Sequence, residues 1–285
     1  MHVRNPVEWG VDQLKLAGHL IEAVASGRRH DGAVAPPQVR QIGVADLVQA
    51  FAEGIDDFKA FRTDVVFLCV VYPVVGVVLA RMAFGYHMLP LEFPLVSGFA
   101  LVGPFAAVGL YEMSRQREHG TELGWGGAFG VVHSPAFGAI IVLGLLLMAI
   151  FLLWLGAAMT IYNLTLGPEP PASIGGFVSD VLTTSSGWAM IVIGVGVGFI
   201  FAVVAMAVSV VSFPLLLDRD VPLHTAIWTS VRAVAANPGT MALWGLLVAV
   251  GLALGSLPLF IGLIVVMPVL GHATWHLYRK LVATP

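Results

Sequence analysis

Apolar runs of about twenty residues, separated by shorter polar stretches, dominate the pattern along this chain. A hydrocarbon core of roughly 30 Å takes about 20 helical residues to cross. The runs at 65–84, 91–111, 135–164 and 188–217 each predict one membrane span. The apolar stretch 241–277 is nearly twice the required length and carries Gly255, Ser256 and Pro258 midway, so it predicts a hairpin of two further spans. The expected fold is all-α, a polytopic membrane protein with six transmembrane helices in three hairpins. The connection 165–187 has Pro168, Pro170, Pro171, Gly175 and Gly176, acidic Glu169 and Asp180, and no basic residue. It predicts a translocated loop.

The segments before the hairpins have a different period. Leu47, Phe51, Ile55 and Phe58 recur at the same spacing as Leu223, Ile227, Val231 and Val234, and Trp125, Phe129, Val132 and Ala136 give a weaker third copy. Such spacing lines one helical face. Each copy predicts a cytoplasmic interfacial amphipathic helix leading into a hairpin, with its apolar side toward lipid or the bundle. In the first copy Asp46 is placed as N-cap, and Gln49, Glu53, Asp56, Asp57 and Lys59 form the polar face. Leu89, Pro90 and Leu91 correspond to Leu257, Pro258 and Leu259, Pro104 to Pro268, and Tyr111 to Trp275. These correspondences divide the chain into a cytoplasmic N-terminal segment and linker, 1–43, and a membrane domain, 44–285, with internal repeats at about 44–118, 119–217 and 218–282. The leading segment carries Trp9, Gln13, Leu16 and Leu20 on one stripe and no apolar signal core; Ser26 to Gln41 reads as linker.

Composition agrees with this class: 58% hydrophobic residues, 11% charged residues and a mean hydropathy of +0.90. All Lys and Arg residues except Arg81 fall on one side of the six-span arrangement, which predicts a cytoplasmic N-terminus and C-terminus. A net charge of −3 with no basic face excludes a nucleic-acid partner. The single cysteine, Cys69, makes neither an internal disulfide nor a thiolate cluster.

Between the membrane boundaries, residues 65–80, 93–111, 135–167, 181–217 and 239–278 contain no Asp, Glu, Lys or Arg, which argues against a proton relay, ion-coupled transport or an intramembrane protease. His272 and His276 share a helical face and are the candidate metal pair, although two ligands fall short of the four a structural zinc takes, and His119, His133, His224 and Glu112 have no spacing that joins them. The competing reading places both rings with Trp275 and Tyr278 in an interfacial belt. Arg81 and Glu92 flank the first turn as a candidate periplasmic ion pair. Pro104, Pro268 and Gly103 mark helix breaks at corresponding positions, a pointer to a solute site or to packing. Polar groups available to line such a site are Tyr72, Ser97, Thr160, Ser209 and Ser212. Gly194, Gly196, Gly198 and Ala202 predict a fourth span central in the bundle or at an oligomer contact. Asp218, Arg219 and Asp220 read as an end-cap with an internal ion pair.

The stretches IGVADL, DDFKAFRTDVVFLCVVYPVVG, LVSGFALVGPFAAVGLYEMSRQRE, SVVSFPLLLDRDV, TSVRAVAANPGTMALWGL and LPLFIGLIVVMPVLGHATWHLYRK closely resemble an uncharacterised family of bacterial integral membrane proteins, a domain of unknown function. The likeness runs from about Ile42 to Leu281 and implies the bacterial inner (cytoplasmic) membrane. Some members carry the label of putative cytochrome c oxidase subunit. A catalytic haem-copper subunit takes several intramembrane histidines, and this chain has none in mid-span. The expectation is therefore a non-catalytic protein without cofactors, an accessory or organising component contacting membrane lipids and other membrane-protein subunits such as a respiratory complex, or a homo-oligomer. The alternative is a transporter or binder of a neutral or lipid-like solute at the repeat interface.

Overall fold

The computed structural model describes residues 37–61, 89–120, 131–132, 134–169, 171 and 173–283, with helical positions 74 and 78. Among these residues ten helices form and no strand: α1 (Val44–Ala60), α2 (Leu89–Ala106), α3 (Val108–Glu118), α4 (Phe137–Thr165), α5 (Ile174–Thr183), α6 (Ser185–Ser209), α7 (Ser212–Asp218), α8 (Leu223–Ala236), α9 (Pro238–Ser256) and α10 (Leu263–Leu281). Four stretches are long and apolar enough to cross a bilayer: Phe93–Glu118, Phe137–Thr165, Ser185–Asp218 and Pro238–Ser256. The expected first span falls outside the described residues apart from positions 74 and 78. The expected sixth, α10, ends in Arg279 and Lys280 and is buried along most of its length.

Proline sets the breaks. Pro214 has no N–H for the carbonyl of Val210 and crowds it, so the fourth apolar stretch stops at Ser209 and resumes as the short, buried α7. The Ser230 hydroxyl, from α8, accepts from the backbone N–H of Val211 in the gap at 3.1 Å. Pro104 precedes the step at Ala107 between α2 and α3 in the same way. The α9–α10 turn lies at 257–262, a few residues beyond Gly255, with Leu259 and Phe260 at positive φ. Gly255 and Gly262 lie so close there that a Cβ on Gly262 would sit 2.8 Å from the Gly255 backbone.

In α4, Ile140, Leu143, Leu147, Ile150, Trp154, Ala158 and Tyr162 are buried at helical spacing, while Leu145, Leu152 and Leu153 face outward. The helix packs against α2 and α6. The Trp154 indole reaches the Pro94 carbonyl at 3.0 Å, and Gly98 and Gly198 leave it room. The small-residue face of α6 does not centre the bundle as expected: Gly194 and Gly196 face open space, and Val192 and Phe199 are about two-thirds exposed. Only Gly187, Ala205 and Ser209 of this helix are buried. The 165–187 connection, read as loop, contains α5, capped by the Ser173 hydroxyl accepting from the Gly176 N–H at 3.0 Å.

The dense core lies at the other end, where α1, α3, α7, α8 and α10 meet around Leu47, Tyr111, Phe213, Trp275, Leu277 and Tyr278. Helix α1 starts three residues earlier than expected: Gly43 is the N-cap, and Asp46 accepts from its N–H at 2.8 Å. Its buried face is also rotated from the expected one, comprising Leu47, Ala50, Gly54 and Asp57, because small residues allow close approach to α10. A Cβ on Gly54 would come within 2.5 Å of the Ala273 backbone nitrogen. In α8 the buried set is Leu223, Ala226, Thr229, Ser230 and Ala233, again rotated from the larger apolar residues.

The two ends of the described chain meet. Val39 bridges Val282, the Arg40 N–H donates to the Leu281 carbonyl at 2.8 Å, and the Ala283 N–H donates to the Gln38 carbonyl at 2.9 Å. Asn237, between α8 and α9, holds the same strip: its side-chain oxygen accepts from the Ile42 N–H at 2.8 Å, and its amide donates to the Arg40 carbonyl at 3.0 Å. Residues 38–42 and 281–283 therefore lie on one face of the molecule.

Candidate functional site

The last three turns of α10 carry His272, Trp275, His276, Tyr278, Arg279 and Lys280, with the two cations in the final turn where the helix dipole favours them. Covered by α1 and α3, this segment does not form a lipid-facing belt: Trp275 is fully buried, as is His272, and Tyr278 is 1% exposed.

Asp57 is the centre of the cluster. It was assigned to the polar, solvent face of α1, yet it is 4% exposed, because it shares the face of Ala50 and Gly54 that packs on α10. Its Oδ2 accepts from the Ser114 hydroxyl at 2.6 Å and lies 2.8 Å from His276 Nε2; its Oδ1 accepts from Arg117. Ser114 Oγ also lies 2.8 Å from His272 Nδ1. The His272 ring is stacked with Phe61, with centroids 5.8 Å apart. Burial pushes the Asp57 carboxyl up, but hydrogen bonds from His276 and Ser114 and the charges of the two imidazoles outweigh it and hold the group below 3.8. The carboxylate thus joins three helices.

A second carboxylate repeats this arrangement. Asp218 is no exposed end-cap: Tyr278 donates its hydroxyl to it, Arg279 approaches at 3.3 Å and Arg219 at 3.5 Å. Arg219 also donates to the Ala283 carbonyl, fastening α7 to the chain end. Glu118 accepts from the Trp275 indole at 3.1 Å and pairs with Arg279 at 2.8 Å. Around the rim, Glu53 lies 3.4 Å from His276 Nδ1 and 3.7 Å from Lys280. A cleft of about 590 Å³ opens beside these groups, lined also by Arg40 and Asp46.

The candidate metal pair is divided between different partners, His272 toward Ser114 and His276 toward Asp57. Among the described residues no group of three or more His, Cys, Asp or Glu side chains is arranged to hold a metal ion. Gly103 lies 4.0 Å from the end of the Met267 side chain, measured from where its Cβ would be, so the Pro104 and Pro268 regions are neighbours; the break expected at Pro268 is absent, since α10 runs through it from Leu263 to Leu281. Of the polar groups expected to line a site there, Ser97, Thr160 and Ser209 hydrogen-bond to carbonyls three or four residues back in their own helices. Ser212, at the start of α7, donates to the Val208 carbonyl of α6. Tyr72, Cys69, His133 and Arg81 lie outside the described residues, as does the side chain of Glu92, and with it the Arg81–Glu92 pair.

Sequence reasoning did not find Asp57, Ser114, Arg117 or Asn237. For Asp57 a signal was present: Ala50 and Gly54, four apart, mark a face for close helix packing, and Asp57 is three residues further along it. For Ser114 and Arg117, which meet Asp57 only through the tertiary fold, no local pattern carries the information.

No curated protein and no solved structure matches the chain. Residues 92–218, from the first turn of α2 through α7, match the model of a family described as predicted integral membrane protein (DUF2189), and Ser114, Arg117 and Asp218 lie within the matched stretch.

Proposed function

We propose that the protein is a non-catalytic component of the bacterial inner membrane, an accessory or organising factor that presents apolar helices to lipid and to partner helices. One observation carries this reading. Apart from Glu169 and Asp180, most charged groups of the described residues gather at one end of the fold, where several pair with one another, while α6 and α9 are left with broad apolar outer faces. A membrane helix without polar groups on its surface associates by van der Waals packing, for which α6 offers Gly194 and Gly196. The test is purification at native expression in mild detergent, followed by identification of what travels with the chain. A stable hetero-assembly, such as a respiratory complex, or a homo-oligomer is expected; a lone monomer at native stoichiometry contradicts the reading.

In this arrangement the Asp57 end is cytoplasmic, as the basic residues Arg40, Arg117, Arg219 and Arg279 near it favour. Cysteines placed at Arg117 and Arg219 are then labelled only from the cytoplasm and one at Glu169 only from the periplasm. The reverse pattern refutes the orientation.

A second reading is binding or transport of a neutral or lipid-like solute at Gly103, Pro104 and Pro268, favoured by the nearness of Gly103 to Met267. The internal bonding of Ser97, Thr160 and Ser209 ranks it lower, since those groups are already occupied.

A further inference from the structure

Helix α5 is amphipathic, and its apolar side is uncovered. Ile174, Phe177, Val178, Val181 and Leu182 share one side of the helix, and Gly175, Gly176, Ser179, Asp180 and Thr183 share the other. None of its residues is buried, and Ile174, Val178 and Leu182, at successive four-residue steps, are each about half exposed. Phe177 and Val181 are the more covered of the five apolar residues. The Phe177 ring meets Tyr162 of α4 edge-on, with centroids 6.3 Å apart, and a Cβ on Gly187 of α6 would come within 2.3 Å of the Asp180 and Val181 carbonyl oxygens. Thr184, with extended backbone, is the sole residue between α5 and α6. The helix therefore reaches from α4 to α6 at the end of that pair and turns one apolar stripe outward.

Continuity indicates what covers that stripe. It leads onto α6, where Trp188 is more than half exposed with its indole N–H donating to the Leu182 carbonyl at 3.1 Å, and where Val192, Val195 and Phe199 follow as exposed side chains. Helix α6 opens a stretch long and apolar enough to cross a bilayer. Its 25 residues reach about 38 Å, roughly 8 Å beyond a hydrocarbon core of about 30 Å, so an end of it stands in the interface, the depth at which Trp is enriched. The carboxylate and two hydroxyls opposite the stripe call for water on that side of α5, so the helix needs both media at once, which a hydrocarbon–water boundary supplies. No Lys or Arg lies in 165–187, so such a contact does not depend on anionic headgroups.

We propose that α5 is an in-plane membrane anchor, lying at the headgroup boundary of the leaflet on the Glu169 side, with Ile174, Val178 and Leu182 among the acyl chains and Ser179, Asp180 and Thr183 toward water. Trp188 stands at the same depth on α6. The anchor sets how deep the α4–α6 pair sits, because sinking further would carry Asp180 into hydrocarbon and rising would strip the stripe of lipid. The inference rests on the reading of α6 as a lipid-facing helix and adds the leaflet contact at its end.

The test uses nitroxide labels. Val178→Cys, Ser179→Cys, Leu182→Cys and Thr183→Cys are introduced singly into the full chain on a Cys69→Ala background, labelled and reconstituted in phosphatidylcholine vesicles. Collision with oxygen, which concentrates in lipid, is compared by electron paramagnetic resonance with collision with a water-soluble nickel chelate. The oxygen-to-nickel ratio is expected to be severalfold higher at 178 and 182 than at 179 and 183. Shielding of 178 and 182 from both reagents means that protein covers the stripe, and overturns the proposal. A high nickel rate at all four positions places α5 in water and overturns it too. Val192→Cys and Phe199→Cys, labelled alike, separate this outcome from the reading beneath it. Oxygen preference there with nickel preference on α5 sinks the anchor alone; nickel preference at both sinks the lipid face of α6 as well. Should a label at Leu182 or Thr183 prevent folding, the contrast between 178 and 179 decides.

Discussion

Helices α6 and α10 are of similar kind in length and helicity and opposite in circumstance. The first, Ser185–Ser209, is apolar on every side and mostly exposed, with Val192 and Phe199 outermost. The second, Leu263–Leu281, carries two histidines, an arginine and a lysine and is mostly buried. In water this distribution would be inverted. Around α6 the outer medium is hydrocarbon, where an exposed valine incurs no hydration penalty and an unpaired polar group is costly. Around α10 the protein supplies the polar partners itself: Asp57, Ser114, Glu118 and Asp218 each reach it from another element. The two helices thus use different sources of cohesion, close packing and lipid for one, a fixed polar network for the other. Substitutions should separate them.

The largest effect is expected at Asp57. Asp57→Ala leaves Arg117 and His276 without their shared carboxylate and removes the acceptor of Ser114. Breaking a buried pair by removing one partner costs about 3–5 kcal/mol, and unfolding in mild detergent should read a loss of that order. A loss under about 1 kcal/mol would mean that α1 and α10 are held by apolar contact alone.

Next comes the close approach of the same two helices. Gly54→Ala places a methyl group 2.5 Å from the backbone of Ala273, where only movement of a helix makes room. Overpacking of this kind costs about 1–3 kcal/mol. Gly196→Ala in α6 meets nothing within 4 Å and should leave stability unchanged, so this pair of variants tests the contrast directly.

The difference between the two helices also governs what could be read from the sequence. Four of the apolar runs and the turn after Gly255 were legible because a bilayer imposes a length and a composition on any helix that crosses it. The turn of α1 about its axis was not. Phe51, Ile55 and Phe58 appeared to define its inner face by hydrophobicity, whereas contact with α10 selects the small residues Ala50 and Gly54 and carries Asp57 inward with them. Hydrophobic patterning assumes that inside is apolar and outside is wet, and this fails for α6, whose outside is apolar, and for α10, whose inside is polar. His272 and His276 were found by their i, i+4 spacing, but their partners lie about 160 and 220 residues away in the chain. Only the tertiary fold brings Ser114 and Asp57 to them.

Acid should release the network end while leaving α6 in place. Asp57 has its folded-state pKa held below 3.8, so its contribution to stability is present above the unfolded value and is lost as pH falls through the lower folded value. A decline confined to that acid range, with little change near neutrality from this group, is the expected profile. Asp57→Asn should flatten it. If the acid limb persists in Asp57→Asn, a group other than Asp57 carries the pH dependence.

The smallest effect is expected on the outward face of α6. Val192→Leu and Phe199→Leu exchange one apolar side chain for another at positions that touch lipid, so neither opens a cavity nor strands a polar group. Each should stay within about 0.5 kcal/mol of the parent, the range of substitutions away from packed features. The same variants then bear on assembly. Where α6 contacts a partner, packing is close and shape-dependent, and Gly196→Leu projects a large side chain from the small-residue face between them. Unchanged stability of the single chain together with loss of a co-purifying partner in Gly196→Leu would assign that face to association. Unchanged stability with assembly intact would assign it to lipid, and the comparison with α10 would then be one between a helix enclosed by its neighbours and a helix that packs on α4, α5 and α8 along one side and on lipid along the other.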